Sequence, residues 1–156
     1  MPKVAINLLT FLLVGTVCVA ANAKECNNQC QYNLVNSYFE KLSAIYRKSS
    51  NASDIDALFK SLAPSVRYEH LNYDASFTRD EWKQAFLNNL NGGAYKNEDK
   101  HLIRVDNAIH GKGFVAVSYS YGLIEKDGSW SPTGDQNLLA LFKITNNKIS
   151  SVQEYW

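Results

Sequence analysis

The carboxyl-terminal third of the chain alternates apolar and polar residues in three runs. The runs cover residues 114–121, 136–144 and 149–156, and they are rich in β-branched and aromatic side chains. This pattern is typical of β-strands that bury one face. A fourth run at about 101–110 precedes them, and the turn Gly111-Lys112-Gly113 predicts a tight hairpin between it and the next run. We therefore predict four consecutive strands, mostly antiparallel.

The first half of the chain shows helical spacing instead. From about Gln29 to Lys48, apolar residues recur every three or four positions and predict a long helix with one buried stripe. A shorter second helix should follow Ser53, a residue suited to the N-cap position, and end at Ala63-Pro64. The third helix is predicted from the capping box Thr78-Arg79-Asp80-Glu81 to the pair Gly92-Gly93.

One more strand is predicted between the second and third helices. Residues 66–71 alternate, and Val66, Tyr68 and His70 form the set expected to face inward. Helices therefore precede most of the strands, which indicates an α+β fold class. A sheet that curls around helices can direct polar side chains from several strands toward one shared cavity.

The amino-terminal residues predict a secretory signal. Residues 1–23 combine Lys3 with a mostly apolar stretch and the small residues Ala21-Asn22-Ala23, which predict cleavage after Ala23. An uncleaved membrane anchor is the alternative, but the apolar stretch is interrupted and is short for a span of roughly 20 residues. We expect a single domain at 24–156, secreted or periplasmic, with no membrane association after cleavage.

Charge and cysteine content narrow the function classes. The formal net charge is only +1, which gives no electrostatic basis for binding nucleic acid. Cys26 and Cys30 are close in sequence, and in an oxidising compartment such a pair predicts a disulfide bond. A redox-active pair is less consistent with this spacing. The three histidines are widely separated, so we expect no metal site.

The order of these elements resembles the nuclear transport factor 2-like superfamily, including its SnoaL-like branch. The most specific segments are 54–59 followed by Val66–His70, and the closing 142–149 followed by Gln153–Trp156. The resemblance covers residues 30–156. It implies a cone-shaped α+β fold, with three amino-terminal helices packed in a strongly bent, mostly antiparallel sheet. It also implies a homodimer and, in the enzymes of the superfamily, a cofactor-free apolar pocket with acid/base groups at its depth.

Glu154 and His70 are the candidate catalytic residues. Glu154 shares a strand face with Val152 and Trp156, and burial would raise its pKa and suit it to proton transfer. His70 follows Tyr68 in strand register, and a neutral imidazole beside the Glu154 carboxylate would make an acid/base pair. A hydrogen-bonded structural histidine is the alternative. In the similar limonene epoxide hydrolase a carboxylate on the last strand works with an Arg-x-Asp pair. The corresponding strand here carries Tyr119-Ser120-Tyr121, which argues against epoxide hydrolysis.

Several other side chains are candidates for ligand binding. Tyr68, Tyr119 and Tyr121 could present hydroxyl groups to a carbonyl or enolate oxygen, although buried tyrosines often serve packing alone. Asn107 is expected to face inward with Ile103, Val105 and Ile109. The aromatic rings of Trp82 and Trp156 could line an apolar pocket or simply fill the core.

Three hypotheses follow from the sequence. The first is an exported, cofactor-free domain that binds a small, largely apolar molecule in a cone-shaped cavity. The second is an isomerase, dehydratase or cyclase type of enzyme that transfers protons with Glu154 or His70 as base. The third is a homodimeric interaction domain with a vestigial cavity. Binding ranks first because these residues do not supply a complete catalytic set.

Overall fold

The computed structural model describes residues 26–96, 102–134 and 136–156; the predicted signal peptide at 1–23 lies outside these ranges. They contain three α-helices: α1 (Asn28–Ile45), α2 (Ala52–Ser61) and α3 (Arg79–Asn91). Seven strands accompany them: β1 (Arg67–His70), β2 (Ala75–Thr78), β3 (Leu102–Gly111), β4 (Phe114–Ile124), β5 (Trp130–Pro132), β6 (Leu138–Thr145) and β7 (Lys148–Tyr155). None of the described helices has the length and apolar character needed to span a bilayer.

All seven strands form one strongly curved sheet, which confirms the predicted α+β cone. Its order is β2-β1-β7-β6-β4-β3, and β5 pairs with the far end of β4. The pairing of β1 with β7 is parallel, and the other neighbours are antiparallel. The parallel pair joins a strand from the first half of the chain to the last strand. Both halves of the chain therefore contribute strands to the same sheet.

The helix starts follow local capping chemistry. The predicted box at α3 is confirmed, because Thr78 Oγ1 accepts from the Glu81 amide and the Glu81 carboxylate accepts from the Thr78 amide. The predicted N-cap of α2 at Ser53 is wrong. Asn51 occupies that position, with its side chain accepting from the Ser53 amide and its own amide donating to Asp54. Asn51 and Asp54 thus complete a second capping box, so α2 begins earlier than expected.

Two strands lie in segments that the sequence did not mark as strands. β2 is a four-residue edge strand next to β1, and β5 has three residues within the loop after β4. Both are too short to show a clear period of two. β5 requires a glycine opposite it, because a Cβ atom on Gly122 would lie 2.5 Å from Cζ2 of Trp130.

The core lies between the helices and the inner face of the sheet. Along α1, the predicted stripe is buried from Val35 to Leu42 and packs against inward residues of β4, β6 and β7, whereas Tyr32 at its start is exposed. Aromatic rings make much of this contact: the Phe39 ring centroid is 4.8 Å from that of Tyr119 and 5.6 Å from that of Phe142. The same alternation that buries these rings places the polar residues of the sheet's inner face among them.

The amino-terminal end of α1 is fixed by two links. Cys26 and Cys30 form the predicted disulfide, with Cα atoms 5.3 Å apart. The buried Gln31 side chain donates to the Gly111 carbonyl at 3.0 Å, and its oxygen lies 3.1 Å from Nδ1 of His110. The disulfide therefore crosslinks the first turn of α1 to the residues just before it, and Gln31 attaches that turn to the β3–β4 hairpin.

Candidate functional site

A buried carboxylate, that of Glu154 on β7, is the centre of the site. Glu154 is 4% exposed. The Tyr68 hydroxyl donates a hydrogen bond to its Oε2 atom at 2.5 Å, and the Tyr119 hydroxyl donates to its Oε1 atom at 3.1 Å. Each carboxylate oxygen thus has a phenol donor, which offsets part of the cost of burying this group.

Strand register explains why these groups meet. In the parallel pair, Tyr68 lies beside Val152 and His70 lies beside Glu154. Because side chains alternate along both strands, all four project from the same face of the sheet. The expected inward orientation of His70 and Glu154 is therefore observed. On the other side of β7, Glu154 is in register with Ala140 of β6, whose small side chain leaves room for the carboxylate.

Burial shifts the proton affinity of Glu154. Its pKa is raised, because desolvation of the carboxylate outweighs the hydrogen bonds from Tyr68 and Tyr119 and the charge of His70, all of which lower it. The pKa values of the Tyr68 and Tyr119 phenols are also raised, first by burial and then by the nearby Glu154 charge. These phenols therefore remain protonated donors, and the raised pKa makes the Glu154 carboxyl a better proton acceptor than an ordinary carboxylate.

Two tyrosines of α1 join the site, although sequence reasoning did not single them out. Tyr38 lies on the buried side of α1, and the half-buried Tyr46 follows eight residues later at the C-cap, about two helical turns along the same face. Burial raises the pKa of both, and the Glu154 charge contributes in each case. The signal in the sequence was a tyrosine, instead of an aliphatic residue, repeated at helical spacing within an otherwise apolar stripe.

His70 is a buried side chain of the site whose ring nitrogens lack hydrogen-bond partners among the described residues. It is 6% exposed. Its ring centroid lies 4.5 Å from that of Tyr73 and 4.5 Å from that of Trp156. The His70 imidazole thus neighbours Glu154 across the β1–β7 pair, and the rings of Tyr73 and Trp156 pack against it.

Trp82 and Trp156 both contact the tyrosines of the site. The Trp82 ring stacks on the Tyr68 ring at 4.7 Å between centroids. Nε1 of Trp156 donates to the Tyr119 hydroxyl at 2.7 Å, so Tyr119 accepts one hydrogen bond and donates another. The two tryptophans position the phenols that hold Glu154, and this ties the predicted aromatic residues to the carboxylate.

The other predicted ligand-binding residues have different locations. Tyr121 is partly buried, and burial followed by the Glu154 charge raises its pKa, which places it near the site. The predicted inward placement of Asn107 is wrong, because its side chain is exposed. A bulge between Val105 and Asn107 inserts Asp106 as an extra residue and reverses the alternation. Ile109 is consequently 70% exposed as well.

The described ranges contain no cluster of side chains suited to bind a metal ion. No group of three or more His, Cys, Asp or Glu side chains lies close enough there to hold a metal ion. The polar groups that do converge are a carboxylate, an imidazole and several phenols. Together they can donate or accept hydrogen bonds and exchange a proton at Glu154.

Comparison with known proteins identifies the fold. No protein-family model matches the sequence, and a search of curated proteins finds no significant match. Among solved structures, the epoxide hydrolase/cyclase-like enzyme SalBIII, from pyran ring formation in the polyether salinomycin, is similar with a TM-score of 0.57. It is 17% identical, over 83% of this chain and 92% of that chain.

Two bacterial proteins are similar at the same level. A candidate ketosteroid isomerase from Kribbella flavida has a TM-score of 0.53 and is 19% identical, over 82% of this chain and 78% of its own. A candidate polyketide cyclase from Sinorhizobium meliloti has a TM-score of 0.51 and is 18% identical, over 79% of this chain and 94% of its own. At such identities the likeness defines architecture and not activity. The chain has the nuclear transport factor 2-like fold of these isomerase-like and cyclase-like proteins.

Proposed function

We propose that this protein is an exported domain that binds a small, largely apolar molecule carrying a hydroxyl or carbonyl group. The ligand lies at the His70 end of the inner sheet face, where the rings of Tyr73 and Trp156 contact its apolar part. The imidazole of His70 forms a hydrogen bond with its oxygen. The sequence of residues 1–23 and the Cys26–Cys30 disulfide support export, since disulfides persist in oxidising compartments.

The observation that carries this proposal is the buried, unpartnered imidazole of His70. Buried polar groups are nearly always hydrogen-bonded, and each exception calls for an explanation. Tyr68 and Tyr119, by contrast, already donate to Glu154. His70 therefore has bonding capacity to offer a ligand, and the rings of Tyr73 and Trp156 lie beside it.

Paired ligands test the proposal. Binding of 1-naphthol and of naphthalene is measured by isothermal titration calorimetry with the wild type and with His70→Leu. The wild type should prefer 1-naphthol by about two- to tenfold, the range that one net hydrogen bond gives. His70→Leu should lose the preference but keep naphthalene binding, which also shows that the variant is folded. Equal affinity of the wild type for both compounds, or binding of neither, contradicts the proposal.

A second candidate function is proton transfer, which the raised pKa of Glu154 favours. In such an enzyme the Glu154 carboxylate takes a proton from the carbon next to a carbonyl group and returns it to the product. The test is deuterium exchange of the α-protons of 2-tetralone in D₂O, followed by proton NMR. The wild type should accelerate exchange and Glu154→Gln should not. Equal exchange rates for the two proteins exclude this function.

We also propose that the protein is a homodimer that pairs through the outer face of the sheet. Three large apolar side chains are exposed on that face outside the pocket described below: Ile109, Leu139 and Tyr155. An exposed apolar set of this kind is typical of an association surface. Light scattering coupled to gel filtration should give the dimer mass for the wild type and the monomer mass for Leu139→Lys. A monomeric wild type contradicts the pairing.

A further inference from the structure

We propose a second ligand site on the outer face of the sheet, a pocket that binds the phosphate or carboxylate group of a small molecule. It lies on the opposite side of the sheet from Glu154, at the end of β6 and β7 near their connecting turn and away from the Leu139–Tyr155 pair, and is independent of the interior function. The pocket has a volume of about 600 Å³. Strands β1, β6 and β7 form its floor, and the segment before β1 and the turn between β6 and β7 form its walls.

Strand register brings two cations together on this floor. Arg67 of β1 is in register with Ser151 of β7, and Ser151 is in register with Lys143 of β6. Neighbouring strands lie about 4.8 Å apart, so the Cα atoms of Arg67 and Lys143 are separated by about 10 Å. Both side chains are long and flexible, and their charged ends can turn toward a group lying over the Ser151 hydroxyl.

The charge balance of the pocket favours an anion. The ionisable residues that line it are Arg67, Lys143, Lys148 and Glu69, three cations and one carboxylate. The Glu69 carboxylate accepts a hydrogen bond from Gln153 Nε2 at 2.6 Å and keeps its charge, so the lining carries a formal net charge of +2. The ion pairs formed within the described ranges involve none of the three cations. Since the whole chain has a net charge of only +1, this positive set is a local feature.

The present contacts of the two central cations are weak enough to be exchanged for a ligand. The Arg67 guanidinium donates to the Ser76 hydroxyl at 3.1 Å, on the exposed side of β2. The Lys143 ammonium lies 6.0 Å from the centre of the Phe114 ring, at the limit of a cation–π contact. An oxyanion offers both groups a charge-assisted hydrogen bond, which is stronger than either contact.

The remaining lining residues indicate the chemical class of the ligand. The Ser151 hydroxyl adds a donor, whereas the Ser150 hydroxyl already donates to the Lys143 carbonyl at 3.3 Å and lies 3.0 Å from that of Thr145. Leu141 and the 42% exposed Phe114 form an apolar border next to Lys143. An oxyanion attached to a small apolar group would satisfy both parts. The site therefore suits a small organic phosphate or carboxylate, and the pocket volume limits its size.

The experiment uses four probes at low ionic strength: inorganic phosphate, phenyl phosphate, benzoate and the uncharged phenol. Binding is measured by isothermal titration calorimetry and mapped by amide chemical shifts in NMR. Phenyl phosphate or benzoate should bind more tightly than phenol, and the difference should shrink as salt is added. The tighter of the two anions identifies the preferred group. Shifts should centre on β6 and β7 at Lys143 and Ser151.

Charge-matched variants locate the site. Arg67→Gln and Lys143→Gln should each weaken binding of the preferred anion by about tenfold, the usual cost of one charge-assisted hydrogen bond. Lys126→Gln removes the same charge outside the pocket and should leave the affinity unchanged. His70→Leu, which alters the interior site, should also have no effect. Equal affinities for phenol and the anions, or equal weakening by Lys126→Gln, would overturn the proposal.

Discussion

Replacing Tyr119 by phenylalanine tests whether the phenol network holds the buried carboxylate of Glu154. The substitution keeps the ring, which packs 4.8 Å from that of Phe39, and removes only the hydroxyl group. That hydroxyl donates to Glu154 and accepts from Nε1 of Trp156. Tyr119→Phe therefore removes two hydrogen bonds, so the Glu154 carboxylate loses a donor and the Trp156 indole loses its acceptor.

The magnitude follows from these two bonds. The bond to the carboxylate is charge-assisted and contributes about 1.5–3 kcal/mol to the free energy of unfolding. The Trp156 indole is only partly buried, so water can replace part of its lost acceptor, and its share is about 1 kcal/mol or less. We expect Tyr119→Phe to lower the free energy of unfolding by about 2–4 kcal/mol at pH values where the folded protein carries Glu154 as the carboxylate.

The cost should depend on pH in a defined direction. Burial raises the pKa of Glu154, and the Tyr119 hydrogen bond partly holds it down. Without the hydroxyl, the folded-state pKa rises further while the unfolded-state pKa is unchanged. The destabilisation is therefore smallest below the wild-type folded pKa. The destabilisation grows as the pH rises through the folded-state pKa values of Glu154 in the wild type and in the variant, and it is constant above both.

Urea unfolding, followed by tryptophan fluorescence between pH 4 and pH 9, measures this dependence. Tyr73→Phe is the matched control, because Tyr73 is 71% exposed and its hydroxyl makes no hydrogen bond to a described residue. The control should change the free energy of unfolding by less than about 0.5 kcal/mol. A Tyr119→Phe cost no larger than that of the control, or one independent of pH, would refute the reasoning.

Three further predictions concern other parts of the fold. Gly122→Ala should lower the free energy of unfolding by about 1–3 kcal/mol and speed amide hydrogen exchange in β5, because the new methyl group meets Trp130. Replacing Cys26 and Cys30 together by serine should cost about 2 kcal/mol in urea unfolding, the entropy of a short closed loop. Wild-type stability should fall relative to Glu154→Gln as pH rises from the ordinary carboxyl range through the raised pKa of Glu154, since the folded state loses its proton last.

Specific outcomes would contradict each of these expectations. Unchanged amide hydrogen exchange in β5 of Gly122→Ala would show that β5 accommodates the new methyl group and keeps its pairing with β4. A cysteine-free variant as stable as the wild type would mean that the loop is equally ordered without its crosslink. Parallel pH profiles for the wild type and Glu154→Gln would show that burial does not raise the pKa of this carboxyl group.

The sequence alone identified the elements that depend on neighbouring residues. The apolar stripe of α1, the capping box at Thr78 and the hairpin at Gly111-Lys112-Gly113 are local patterns, and each was found where predicted. The period of two along β1 and β7 also predicted that His70 and Glu154 face inward. These predictions succeed because side-chain direction within one element is set by backbone geometry.

Tertiary structure decided what the site is made of. The parallel pairing of β1 with β7 sets His70 beside Glu154, and α1 brings Tyr38 and Tyr46 within range of the carboxylate. The bulge at Asp106 turned Asn107 outward, against the local alternation. Register between distant strands depends on the packing of the whole sheet, and no window of sequence contains it. Sequence therefore determined the residues available, while long-range pairing determined which of them meet.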